Sequence, residues 1–230
     1  MLSSFARFVP PSTVALLAVL ALLIILVPAI GALVAARNRD VEDTAARKRA
    51  RYARTMLILW TMAAIAFYAL SLHGETVADV GFHTPASMLW YLVGPVLVAI
   101  LLTASGAGRG DISDSYARAV RIVVPRDAVE WAWFVPVAAT AAICEEFLYR
   151  GFALTQVTAL TGSVAAGVLV SSIAFGLGHA YQGRIGMTGT ALTGVLYALL
   201  FVLGGSLWPC MIAHFLQDIA GAAILARRLR

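Results

Sequence analysis

The feature that most constrains this chain is a series of long apolar runs without charged residues. The first extends over residues 13–35, and its 23 residues carry no charge. A run of about 18 or more apolar residues is long enough to cross the hydrocarbon core of a bilayer as a helix. Because several such runs follow one another, the sequence predicts an all-α fold, a polytopic transmembrane helical bundle.

The composition excludes the main soluble classes of protein. Hydrophobic residues make up 61% of the chain and charged residues 13%, whereas soluble domains average about 25% charged residues. The net charge of +5 is typical of the basic loops of a membrane protein, so no nucleic-acid partner is expected. Cys144 and Cys210, the two cysteines, cannot form a disulfide framework and are predicted to be small buried hydrophobes.

The breaks between the apolar runs predict about seven membrane spans. In order, they are residues 13–35, 56–72, 88–104, 131–160, 162–180, 185–203 and 207–226. The first run exceeds the apolar region of a signal peptide, about 7–15 residues, and is therefore interpreted as a retained helix. Three predicted regions follow: an N-terminal transmembrane region with polar loops at 1–130, a core of four spans at 131–226, and a basic tail at 227–230.

The distribution of Lys and Arg predicts the orientation in the membrane. If residues 37–54 are cytoplasmic and the spans alternate, the cytoplasmic segments hold 15 of the 17 basic residues. Cytoplasmic loops carry an excess of Lys and Arg. We therefore expect an integral membrane protein with its N-terminus outside and its C-terminus in the cytoplasm.

Few ionisable residues fall within the last four apolar runs, and each is costly there. They are Glu145, Glu146, Arg150, His179, His214 and Asp218. Such a side chain costs about 2.5–3.5 kcal/mol at membrane depth. Glu146 and Arg150 are four residues apart and share a helix face, which favours an ion pair. Glu145 points about 100° away and has no partner on its own helix.

The spacing of the remaining groups predicts how they meet. Glu145 and His179 each lie 17 residues from Gly162, so a hairpin turning there brings them to the same depth. A Glu and a His that face each other in a pocket can activate a water molecule. His214 and Asp218 share a face at four residues' spacing, so Asp218 is a candidate to orient His214.

The spacing of His214 from its turn predicts a different depth in the membrane from that of His179. His214 lies only about 13 Å of helix beyond the turn at Gly205, whereas His179 lies about 25 Å beyond Gly162. The groups meet only if the hairpin at Gly162 extends further than the other turn, or if a helix is tilted or broken.

A small-residue face, comprising Gly167, Ser171, Ser172, Gly176 and Gly178, is predicted to pack against the helix that carries Glu145.

Three motifs occur in order on these helices. Residues 145–150 read EExxxR, residues 175–179 read FxxxH, and residues 214–218 read HxxxD. Together they resemble the CPBP (Abi) family of CAAX-processing and bacteriocin-processing intramembrane proteases. The resemblance covers residues 131–226 and implies that the last four spans form the catalytic core of an intramembrane peptidase related to the type II CAAX prenyl endopeptidases.

The resemblance also implies roles for the residues. Glu145 and His179 would activate water, His214 and Asp218 would stabilise the tetrahedral intermediate, and Glu146 and Arg150 would hold the geometry. Asp218 departs from the Asn that is frequent at this position, and an ionised carboxylate is a poor oxyanion donor. The candidate substrate-pocket residues are Tyr149, Phe175 and Gln182.

Metal dependence is open at this stage. Glu145, His179 and His214 could supply three zinc ligands with an open fourth position, but the firm HExxH signature is absent from the sequence. A metal-free Glu–His pair is equally compatible. The expected partners are membrane lipid and a membrane-anchored or lipidated peptide substrate, and the expected location is a bacterial or archaeal inner membrane.

Two other functions fit the buried charges. A non-catalytic immunity or scaffold protein with the same fold is the first, although a scaffold would not need to bury a full set of catalytic groups. A proton-coupled transporter is the second, but such transporters usually contain pseudo-symmetric repeats, which are not visible in this sequence. Cys144 is disfavoured as a nucleophile because its apolar surroundings would not favour a thiolate.

Overall fold

The described residues form helices joined by short turns and one longer loop. A computed structural model describes residues 11–37, 44–104 and 114–229, and these contain no β-strand. The α-helices are α1 Pro11–Ala21, α2 Val27–Arg37, α3 Ala45–His73, α4 Trp90–Ala104, α5 Asp114–Arg121, α6 Ala128–Glu146, α7 Thr155–Thr161, α8 Val164–Gly178, α9 Gly183–Gly204 and α10 Trp208–Arg228. Two π-helical stretches, Leu22–Leu26 and Phe147–Leu154, join α1 to α2 and α6 to α7, and a 3₁₀ turn at Ala180–Gln182 precedes α9.

The predicted fold class is confirmed by the length and composition of these helices. Five helical stretches are long and apolar enough to cross a membrane: Ser12–Leu33, Ala45–His73, Ala128–Thr161, Ala180–Gly204 and Trp208–Arg228. The shorter apolar helices Trp90–Thr103 and Val164–Gly178 account for the other two predicted spans. The described part of the chain is therefore a polytopic helical bundle.

The beginning of α3 differs from the prediction. Residues 45–54 were expected in a polar loop, but they extend the helix, and the Thr44 side chain caps it by accepting a hydrogen bond from the Arg47 backbone N–H. Ala, Arg and Lys are good helix formers, so the basic sequence continues the helix into the polar region. The polar residues 105–113, also predicted as loop, lie outside the described residues.

A buried ion pair fixes the basic end of α3. Lys48 and Glu130 are 0% and 1% exposed, and the Lys48 Nζ lies 3.1 Å from a Glu130 carboxylate oxygen. Lys48 also donates a hydrogen bond to the Val124 carbonyl, and Arg126 contacts Glu130 at 2.7 Å. The starts of α3 and α6 therefore lie at the same end of the bundle, as alternating spans require. The absolute direction across the membrane stays a prediction.

The hairpin at Gly162 reaches further than the turn between α9 and α10. Gly162 ends α7 with φ +69°, a conformation that glycine adopts readily, and Ser163 caps α8. The second turn lies deeper, because the Leu207 N–H donates to the Gly81 carbonyl and the Leu207 side chain contacts Gly151. Gly151 precedes Gly162 by eleven residues, about 16 Å of helix. This offset brings His214 level with His179.

The small-residue face of α8 packs against two helices rather than one. Gly167 lies against Leu154 and Thr158, in the helix that continues from Glu145, as predicted. Gly176, however, lies against Met187 and Ala191 of α9. α8 is wedged between the two helices, so small side chains are needed on both of its sides.

The N-terminal helices contribute to the wall around the core. A Cβ added to Gly31 of α2 would lie 2.8 Å from the Gly178 carbonyl oxygen, at the end of α8. Real Cβ atoms do not approach backbone this closely, so the absence of a side chain permits the contact. The region 1–130 and the core 131–226, predicted as separate regions, therefore share an interface beside His179.

We expect Gly176→Ala to destabilise the protein and Gly189→Ala to leave it stable. A Cβ on Gly176 would lie 2.5 Å from the Ala191 Cβ and 2.8 Å from the Met187 carbonyl, whereas one on Gly189 meets nothing within 4 Å. Overpacking costs about 1–3 kcal/mol, while Gly→Ala in an open helix gains up to about 1 kcal/mol. Thermal unfolding of both variants in detergent measures the difference. Equal melting temperatures would contradict the described packing of α8 on α9.

Candidate active site

Glu146 is the centre of the polar cluster in the core. One of its carboxylate oxygens accepts a hydrogen bond from Arg150 Nη1 at 3.0 Å and another from His214 Nδ1 at 2.8 Å. Glu146 and Arg150 are 0% and 1% exposed. The predicted ion pair is therefore present, and it has a third member that the sequence did not reveal.

Arg150 connects three parts of the bundle. It lies in the π-helical stretch Phe147–Leu154, whose eight residues are all buried. Its Nη2 donates a hydrogen bond to the Gly194 carbonyl of α9 at 3.3 Å, and its guanidinium lies over the Phe175 ring of α8 at 4.4 Å. A cation over an aromatic face is stabilised electrostatically, more so when it is removed from water.

Glu145 faces both histidines without bonding to either directly. Its Oε2 lies 4.0 Å from His179 Nε2 and 3.9 Å from His214 Nε2. The hairpin thus brings Glu145 and His179 together, as their equal spacing from Gly162 predicted. These separations exceed a hydrogen bond, so a polar contact between the groups needs a water molecule beside them.

Hydrogen bonds define the tautomer of each imidazole. His179 Nδ1 lies 2.8 Å from the Phe175 carbonyl oxygen, and His214 Nδ1 lies 2.8 Å from the Glu146 carboxylate. Because a carbonyl and an ionised carboxylate only accept, both Nδ1 atoms must carry the proton. In the neutral form each Nε2 then presents a lone pair toward Glu145.

Asp218 does not orient His214 in the way that the sequence suggested. Its Oδ2 lies 3.8 Å from His214 Nε2, too far for a hydrogen bond. Glu146 of α6 holds the other ring nitrogen instead. The spacing of four residues on α10 indicated proximity correctly, but the orienting group comes from a helix 68 residues away in sequence.

A cavity of about 120 Å³ opens beside the histidines. It is lined by Phe175, His179, Gln182, Thr190, Thr193, Tyr197, His214, Gln217 and Asp218. Phe175 and Gln182, two of the three candidate substrate-pocket residues, lie at this cavity, and their contact with substrate stays a prediction. Sequence reasoning missed Gln217, although its position one turn after His214 indicates the same helix face. Nothing in the sequence pointed to the α9 residues.

Tyr149, the third candidate substrate-pocket residue, does not line this cavity. It is 5% exposed, and its ring packs edge-on against Phe175 with 5.0 Å between centroids. The residue lies in the π-helical stretch Phe147–Leu154, all of whose side chains are buried. Cys144 and Cys210 are both fully buried, as expected.

The possible metal ligands satisfy one requirement of a zinc site and miss another. Each histidine bonds a carbonyl or carboxylate through Nδ1, as metal-binding histidines do. However, the 3.9 and 4.0 Å separations from Glu145 exceed the about 3.3 Å between tetrahedral zinc ligands. Within residues 11–37, 44–104 and 114–229, no group of three His, Cys, Asp or Glu residues is arranged to hold a metal ion. As placed, these residues do not fit the ion; the two alternatives that the sequence offered, a zinc site and a metal-free Glu–His pair, both stay predictions.

We expect Arg150→Met to unfold the core far more readily than Arg184→Met. Removal of the guanidinium leaves the fully buried Glu146 carboxylate without its cation, whereas Arg184 is exposed at the start of α9. Breaking a buried pair costs about 3–5 kcal/mol. The fraction of monodisperse protein remaining after heating, measured by size-exclusion chromatography, compares the two. A stable Arg150→Met protein would show that the pair does not maintain the core.

One comparison with known proteins found a match for the segment that carries this cluster. Residues 127–220 match the family model described as type II CAAX prenyl endopeptidase Rce1-like. No curated protein and no solved structure matches the chain. The matched segment extends from the start of α6 into α10 and contains all six ionisable residues of the cluster. Over residues 127–220, the chain is therefore similar to the Rce1-like type II CAAX prenyl endopeptidases.

Proposed function

We propose that this protein is an intramembrane endopeptidase that hydrolyses a peptide bond with water activated by Glu145 and His179. The observation that carries the proposal is the position of the Glu145 carboxylate, about 4 Å from two imidazole Nε2 atoms beside a polar cavity. The similarity of residues 127–220 to a family model of endopeptidases supports it.

Glu145 is the general base of the proposed reaction. A water molecule between Glu145 and His179 gives one proton to the carboxylate, and its oxygen bonds to the carbonyl carbon of the scissile peptide. The Nε2 of His179 accepts a hydrogen bond from the other O–H of the water, which orients the molecule, and this hydrogen stays on the attacking oxygen. When the tetrahedral intermediate collapses, the C–N bond breaks and Glu145 returns its proton to the leaving nitrogen.

Glu146 and Arg150 are positioning residues. Glu146 holds His214 by its Nδ1, so that the Nε2 faces the reacting groups, and Arg150 neutralises Glu146. In its protonated form, His214 donates from Nε2 to the oxyanion of the intermediate, and Asp218 at 3.8 Å balances that charge. Preorganised groups of this kind need no rearrangement during the reaction.

The surroundings favour a substrate that is already in the membrane. Glu145 lies near the middle of the 34-residue helical stretch Ala128–Thr161, which is long and apolar enough to span a bilayer. A peptide carried by a membrane anchor or a lipid reaches such a site at high local concentration. We therefore propose a membrane-anchored or lipidated peptide as substrate and an inner-membrane location.

Loss of peptide hydrolysis in Glu145→Gln and His179→Ala tests the proposed pair. General acid–base groups contribute about 10²–10⁴-fold to rate, and each variant should lose at least that much. Purified protein in lipid nanodiscs would be assayed with fluorogenic peptides, prenylated and plain. Cys144→Ala is the matched control, since its thiol is fully buried next to Glu145 and should not affect the rate.

The outcomes separate the proposal from its rivals. Cleavage that survives Glu145→Gln would refute the mechanism. Folded wild-type protein that cleaves no peptide would favour the non-catalytic immunity or scaffold function. A rate that depends on Cys144 would indicate thiol catalysis instead.

A chelator should leave the rate of the wild-type protein unchanged. The ligand atoms of Glu145, His179 and His214 lie too far apart for tetrahedral zinc as they are placed. The measurement is the initial rate after dialysis against EDTA and after addition of Zn²⁺. Inactivation by EDTA, reversed by Zn²⁺, would show that these three side chains close around a metal.

A further inference from the structure

We propose that Gln217, oriented by Tyr197, donates a hydrogen bond to the oxyanion that forms during peptide hydrolysis. The inference rests on the proposed function, because it names a further catalytic residue for that reaction. It is independent of how the water is activated, since it concerns a different wall of the cavity.

The charge of the site creates the need for such a donor. When Glu145 has taken a proton from the water, the carboxylates of Glu146 and Asp218 are balanced by Arg150 and protonated His214. The oxyanion then adds a negative charge that no other group of this cluster balances, and in surroundings poor in water its repulsion by the two carboxylates is only weakly screened. Asp218 cannot donate a hydrogen bond while it is ionised. A neutral amide donates without altering the charge balance.

Gln217 occupies the right face of α10. It lies three residues after His214 and lines the same cavity as His214, His179 and Asp218. Side chains three and four residues apart on a helix are neighbours. An intermediate that contacts His214 in this cavity therefore lies close to the Gln217 amide.

Tyr197 determines which end of the amide is available. Its hydroxyl donates to Gln217 Oε1 at 2.6 Å, and this occupies the carbonyl end of the side chain. Among the residues that the structure describes, the Nε2 amide group has no hydrogen-bond partner. Its two N–H donors remain for a ligand in the cavity.

Tyr197 is itself held rigidly. It is 1% exposed, and its ring lies 6.1 Å from the His214 ring and 5.7 Å from the Arg150 guanidinium. A tyrosine so enclosed fixes the glutamine rotamer before substrate binds. Donors that are fixed in advance are those that stabilise a transition state most effectively.

The test separates binding of the substrate from binding of the transition state. Wild type, Gln217→Met and Tyr197→Phe would be assayed for kcat and KM on a cleaved peptide. The affinity for a phosphinate peptide of the same sequence, a tetrahedral analogue, would be measured alongside. Gln156→Met is the matched control, because this glutamine bonds Glu75 and lies outside the cavity lining.

Loss of one oxyanion donor lowers kcat about 10²–10³-fold. We expect that loss in Gln217→Met, with KM changed less than about twofold and phosphinate affinity reduced by the same factor as kcat. Tyr197→Phe should lower kcat about tenfold with KM again unchanged, because the donor remains but is less well oriented. A merely structural role would weaken substrate and analogue alike.

Three results would overturn the inference. If the wild type cleaves and Glu145→Gln does not, but Gln217→Met retains full kcat, the inference fails while the proposed function stands. Equal losses of substrate and phosphinate affinity in Gln217→Met would show that the residue supports the cavity only. Absence of cleavage by folded wild-type protein would overturn the proposed function and this inference together.

Discussion

The hydrogen bonds that Glu146 accepts from Arg150 and His214 are the interaction on which the site depends. The carboxylate has no exposed surface, and the guanidinium and the imidazole both bond its Oε1, whereas its Oε2 has no hydrogen-bond partner among the described residues. Either partner alone would leave the group poorly satisfied in a medium of low polarity. Because His214 comes from the last helix, the same bonds that stabilise the carboxylate also fix where that helix packs.

Two adjacent glutamates thereby acquire different chemistry. Helical geometry points them about 100° apart, and the buried partners engage only Glu146. Glu145 remains 15% exposed and close to two ring nitrogens that have no other bond in the described structure. A carboxylate that is already paired with an arginine cannot serve as a base. The different roles proposed for Glu145 and Glu146 therefore follow from the helix face on which each residue lies.

Local and long-range features differ in how far the sequence predicts them. The apolar runs, the Glu146–Arg150 pair and the meeting of Glu145 with His179 follow from helix length and spacing. The bond from His214 to Glu146 does not, because it depends on how deep the turn before α10 lies. That depth is determined by contacts of Leu207 with Gly81 and Gly151, which no periodicity encodes. The extension of α3 back to Ala45 was not predicted for a related reason. Its basic residues indicate a loop, and the sequence does not show that Lys48 pairs with the buried Glu130.

The separation of partners along the chain has a consequence for biogenesis. The Glu146–Arg150 pair joins residues four apart and can form as soon as their own helix is made, whereas the Glu146–His214 bond spans 68 residues. During synthesis the acidic cluster therefore enters the membrane already partly neutralised, but without its second imidazole. The proposed catalytic groups are complete only after α10 has been inserted, so the proposed mechanism gives a nascent or truncated chain that ends before α10 no activity toward neighbouring membrane proteins.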